Sequence, residues 1–208
     1  MERADYLKII RSNLRHNFLF PFLGAVLVGV LTALLFHLKA LSATAAMQPI
    51  ELLLCFTGVM LITSIFLPEQ NPAIQEVIYS KWVDYLKVCG IRLVYSVLAV
   101  VLINLVVLGI MKWGECEISF FHIVAAIAGA LFLGAIGFFV AGVFQNTTVG
   151  YMASMGYYLI NYAIKKKLGV FNMFSGFTEK YQDKWLLIVW AILLFLATFI
   201  LLKLRRKK

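Results

Sequence analysis

Long apolar stretches alternate with short polar ones along the whole chain, and six apolar runs can be marked off. They cover residues 18–38, 50–67, 93–111, 118–144, 148–164 and 185–202. Each is close to the ~20 residues a helix needs to cross the hydrocarbon core of a bilayer. Backbone groups in lipid must be satisfied within their own segment, and none of the runs alternates as a membrane barrel strand does. The pattern therefore predicts an all-α integral membrane protein with six transmembrane helices. Pro21 falls in the first turn of the first run, where a missing N–H is harmless. Pro49 precedes the second run and Pro68 follows it. The fifth run is the weakest, being short and interrupted by Gly150, Gly156 and Asn161. The first is longer than the ~7–15 residues of a signal-peptide core, so it reads as a retained span.

Two segments between or before these runs are amphipathic. In residues 1–17, Leu7, Ile10 and Leu14 share one helical face, and Lys8, Arg11 and Arg15 share another. That pattern predicts an N-terminal interfacial helix lying on the inner leaflet, followed by a six-span domain over 18–208. Residues 68–92 form the second segment. Asn71-Pro72 is a helix-start signal, Glu76 suits the first turns, and Lys87 suits the far end. Ile74, Val77, Ile78, Trp82 and Tyr85 line one face, with Gln75, Glu76, Ser80, Lys81 and Asp84 on much of the rest. Such a ridge either docks in a groove of a partner protein or rests on lipid, and the pattern alone leaves both open.

Composition strengthens the membrane reading. Of 208 residues, 62% are hydrophobic and only 14% charged, with a mean hydropathy of +0.91. Soluble domains carry about 25% charged residues, so an ordinary soluble enzyme is excluded. The 19 Lys+Arg against 10 Asp+Glu give a net charge of +9. The basic residues flank apolar runs, where they meet anionic lipid headgroups rather than nucleic acid. With both termini cytoplasmic, the inner segments hold Arg3, Lys8, Arg11, Arg15, Lys81, Lys87, Arg92 and the tail from Lys203 to Lys208. The outer ones hold Lys39, Lys112, Lys165, Lys166, Lys167, Lys180 and Lys184, of which the last five oppose the positive-inside rule.

Reactive chemistry is sparse. Ionised side chains at depth are costly and mark function when present, and none is expected here. Glu51 is expected at the outer edge of the second span, free to snorkel toward water. Asn104, Asn161 and His122 read as ordinary packing polars, and Cys55, Cys89 and Cys116 as free thiols. There is no HExxH, CxxC, Gly-x-Ser-x-Gly or GxxxxGK[ST] motif. The chain is expected to be no enzyme and to hold no cofactor or metal; any energy for work must come from another polypeptide.

The segment after the second run carries a family resemblance. An acidic residue, an I-x-E-V-I-Y-S-K stretch and a basic residue opening the third span occur as Glu69, Ile74, Glu76, Val77, Ile78, Tyr79, Ser80, Lys81 and Arg92. This resembles the permease subunits of type-2 ATP-binding-cassette exporters. The resemblance implies that this stretch, with Trp82, is a cytoplasmic coupling helix fitting a separate ATPase subunit, which binds the ATP and Mg. It implies a second permease copy, identical or not, in a cell membrane such as the bacterial plasma membrane. It further implies export of a peptide, lipid or other amphipathic substrate, in some relatives linked to antimicrobial peptide resistance. The alternative is a non-transporting membrane scaffold or immunity protein that binds a partner within the bilayer.

Two further features bear on this. Ala126, Ala130, Gly134, Gly137 and Ala141 put small residues at helical spacing on the fourth span, which permits close backbone approach. They serve either packing within one bundle or a translocation path. In the outer connection, Lys165–Lys167 precede an aromatic stretch from Phe171 to Phe177. Its rings serve as interfacial anchors, or its lysines attract anionic headgroups or an acidic substrate. In the resembled family, short helices dip back into the membrane here.

Overall fold

A computed structural model describes residues 17–70, 85–164, 169–178 and 182–205. Among these there are helices and no strand. The principal helices are α1 (Leu19–Phe36), α2 (Ala43–Gln70), α3 (Tyr85–Trp113), α4 (Phe120–Phe144), α5 (Thr147–Ile164) and α6 (Gln182–Arg205). Among the described residues, five of these helices, all but α5, are long and apolar enough to cross a membrane, a set compatible with a multi-pass membrane protein. The weakness expected of the fifth run is visible here: Asn161, the glycines and four tyrosines lower the hydropathy of α5. The interfacial segment up to His16 and the stretch 71–84 lie outside the described residues. Ile74, Glu76, Val77, Ile78, Tyr79, Lys81 and Trp82 are among them, and so are Lys165, Lys166, Lys167 and Lys180 of the basic outer connection.

Three helices extend beyond their apolar runs. α2 starts at Ala43 and absorbs Pro49 and Pro68. A π-helical turn at Ile50–Leu54 follows Pro49, and the last turns, Ser64–Gln70, are 3-10 helix. Both are local adjustments that let a helix carry a residue without an N–H. α3 begins at Tyr85 and so carries Arg92 inside it, while α6 begins at Gln182 and carries Lys184. Helical hydrogen bonding continues through these polar turns because each charge has found a partner, as described below.

The helices alternate in direction around α4. Phe18 meets Tyr95 edge to face, and Gly29 lies against Val107 and Ile103, so α1 and α3 run parallel. α2 runs parallel to α4: Gly58 abuts Ala130, and eight residues further along both helices Phe66 stacks on Phe138 with centroids 4.8 Å apart. α5 is antiparallel to α4, with Gly150 against Ala141 and, further along, the Ser154 hydroxyl donating to the Leu133 carbonyl at 3.0 Å. α6 runs parallel to α4, with Thr198 against Gly142 and the Arg205 guanidinium on the Gly142 and Val143 carbonyls. α2 and α4 are the most enclosed spans; α1 and α6 expose apolar side chains such as Phe20, Leu34, Ile192 and Leu204 outward. Lipid offers no hydrophobic drive for helices to associate, so shape decides the centre.

Small residues supply that shape. A Cβ at Gly58 would overlap the Ala130 carbonyl, and one at Gly134 would sit 2.7 Å from the Gly58 oxygen. Gly137 faces Thr63 and Ser154, Ala141 faces Gly150, and Ala126 joins the cluster of Met47, Ile50 and Leu54. The small face of α4 is thus filled by α2 and α5 of the same chain. At the end of the bundle where α4 begins, His122 ties two helices together. Its Nδ1 accepts the Ser119 N–H at 3.1 Å, so Nε2 carries the proton donated to the Ala43 carbonyl at 2.9 Å.

Candidate functional site

The two ends of α2 each carry a carboxylate in an ion pair, buried at Glu51 and half-buried at Glu69. Gln70 and Tyr85 bound the near end of the bundle, and Glu69 lies there in the last turn of α2. Arg92, two turns into α3, reaches it at 2.6 Å and also donates to the Ile65 carbonyl at 3.2 Å. The Tyr85 hydroxyl donates to the other Glu69 oxygen. Glu69 and Arg92 are 13% and 7% exposed, so little solvent competes with this pair. Beside it a small, partly open pocket with room for about one water is lined by Phe18, Ser64, Tyr95 and Ser96 among others. Glu69 and Arg92 therefore tie the last turn of α2 to the first turns of α3, the described residues on either side of 71–84.

Glu51 occupies the far end. The expectation that it snorkels at the edge is overturned: its side chain is 2% exposed, in the π-helical turn of α2. Lys184, expected in an outer loop, is instead helical, 1% exposed and 2.6 Å from the Glu51 Oε1. The cause is mutual: each charge makes burial of the other tolerable, because an unpaired one would cost several kcal/mol. With Cys55 against Gly129, Glu51 lies level with about Ala125, ~8 Å inside the start of α4 at ~1.5 Å per residue. The expectation of no ionised group within the spans is corrected accordingly.

This far pair also holds the turn that precedes α6. The Glu51 Oε1 accepts the Gly176 N–H at 2.9 Å, and the Lys184 ammonium donates to the Met173 carbonyl. Asn161 of α5 clamps the same turn from the other side. Its Nδ2 donates to the Phe171 carbonyl at 2.8 Å and its Oδ1 accepts the Met173 N–H at 3.0 Å. The Tyr157 hydroxyl donates to the Phe171 carbonyl at 2.7 Å. Met173 and Phe174 are buried, and the Phe174 ring lies edge-on to Tyr158 and Tyr162. The aromatic stretch is thus split: Phe171 stays at the surface beside Trp190, whereas Phe174 is core.

Among the sequence-derived site residues, Glu69 is described and lies in the near clasp. Ala126, Ala130, Gly134, Gly137 and Ala141 form the packed seam already given. Sequence reasoning missed Glu51, Lys184 and Asn161. An acid inside an apolar run and a lysine at the start of another were signals for the pair. Among the described residues no cluster of His, Cys, Asp or Glu could hold a metal ion. No family model, curated protein or solved structure matches the chain.

Proposed function

We propose that the chain is the permease subunit of an exporter of the type-2 ATP-binding-cassette kind, moving an amphipathic substrate out of the cell with ATP hydrolysed by a separate subunit. On this reading α5 is a sixth span, both termini are cytoplasmic, and two permease copies assemble with their ATPases. Residues 71–84 form the coupling helix, with Ile74, Glu76, Val77, Ile78, Tyr79, Lys81 and Trp82 against the ATPase. The observation that carries it is the clasp of Glu69 with Arg92 and Tyr85. Those acidic and basic positions flank the segment in the resembled family. Here their ion pair gives that segment one rigid base, from which a push would reach α2 and α3 together. α2, packed by glycine against α4, would then carry the motion about 27 Å along its axis to the far end.

The test is ATP hydrolysis by the partner ATPase in proteoliposomes with the wild-type chain, or with Glu76→Ala, Tyr79→Ala or Trp82→Ala. The reading expects the wild type to stimulate hydrolysis and the variants to lose most of that stimulation while still inserting and folding. Equal hydrolysis with and without the chain contradicts it.

A further inference from the structure

Resting on the transport reading, we propose that residues 171–176 are a movable cap on the far end of the bundle, latched by Glu51, which parts from the helices as substrate leaves. The cap continues neither neighbouring helix. It runs from the end of one short 3-10 turn into the start of another and is entered through Gly169, whose φ of +54° favours a residue without a Cβ. Three helices hold it by side chains: Glu51 from α2, Asn161 from α5 and Lys184 from α6. A cap held this way can let go at separate points, whereas a span must move whole.

The charges make release feasible. A buried ion pair roughly breaks even against the same two ions hydrated, so water entering on opening compensates Glu51 and Lys184 for losing each other. An apolar seal of similar size gains nothing from that water. Closed, the cap drops Met173 and Phe174 into a wedge between α2, α4, α5 and α6, where they cluster with Cys55, Phe132, Leu187 and Ala191. Opened, it vacates an apolar wedge edged by the Tyr158 ring. That chemistry takes the apolar group of an amphipathic molecule and, among the described residues, offers no counter-charge for a free ion other than Glu51 and Lys184 themselves.

Cys55 is a natural reporter, because it is buried beneath the cap. In a Cys89→Ser/Cys116→Ser background reconstituted in liposomes, Cys55 is exposed to a water-soluble maleimide. Labelling is expected to be slow in the parent and faster by about tenfold or more in Glu51→Gln and Lys184→Met chains that elute as the parent does. Parent-like rates in both variants overturn the latch. Should the variants aggregate, hydrogen exchange on the unaltered chain decides. The amides of Met173, Phe174 and Gly176 are expected to exchange by local opening, at least several-fold faster than the middle of α4. Exchange of all of them only with global unfolding overturns a movable cap. ATP turnover by the partner is expected to speed cap exchange further. Local opening that turnover leaves unchanged overturns the link to export, and local opening in a chain that engages no ATPase contradicts the transport reading while the latch stands.

Discussion

Gly58 and Ala130 meet backbone to backbone, the Gly58 position having no room for a Cβ beside the Ala130 carbonyl. Neither residue can grow without parting α2 from α4, the two most enclosed spans. Gly58→Ala is expected to destabilise the bundle by about 1–3 kcal/mol or more, because overpacking at a backbone contact cannot be relieved by a side-chain rotation. Gly156→Ala is the control: it meets open space and lies mid-helix in α5, so it is expected to be neutral or mildly stabilising. Unfolding in mixed micelles by a denaturing detergent measures both.

The far ion pair makes a prediction of sign. Glu51→Gln or Lys184→Met alone leaves one buried charge without its counter-ion and is expected to cost about 3–5 kcal/mol. The double variant removes both charges at similar volume, and the amide oxygen introduced by Glu51→Gln still accepts the Gly176 N–H. Its loss is expected to be well below the sum of the two. A double-mutant cycle by the same unfolding assay checks this, and strict additivity contradicts direct pairing.

At the near end, Glu69 accepts from both Arg92 and Tyr85. Arg92→Met removes the cation and a bond to the Ile65 carbonyl, and is expected to cost about 3–5 kcal/mol. Tyr85→Phe removes a single hydrogen bond to a charged group, worth about 1.5–3 kcal/mol. On the transport reading both variants also uncouple ATP hydrolysis from export. Arg92→Met has the larger effect, and transport per ATP hydrolysed is the readout.

The helical runs are legible in the sequence because span length and hydropathy are local properties, and their centres stand where the apolar pattern puts them. The ends are not. Lys184 and Arg92 look like flanking charges in the sequence, yet each lies within a helix because a carboxylate from α2 awaits it. Pairing of that kind is a property of the folded bundle: Gly176 and Glu51 are 125 positions apart. The small-residue face of α4 is legible as a close-packing surface, but only the structure assigns it to α2 and α5. Asn161 reads as generic packing, since nothing local marks it as the clamp of a turn ten positions on. Phe174 reads as one interfacial ring among several because composition cannot tell a ring at the headgroups from one folded back beneath them.

On the transport reading, a second polypeptide drives this bundle from the base clasped by Glu69 and Arg92. Native mass measurement of the complex, extracted from its own membrane at near-neutral pH and assayed for ATP hydrolysis, addresses it directly. The account predicts two permease chains with two nucleotide-hydrolysing subunits, a complex that falls apart on Trp82→Ala. A homogeneous species containing only this chain, with no hydrolysis at any ATP concentration, contradicts it.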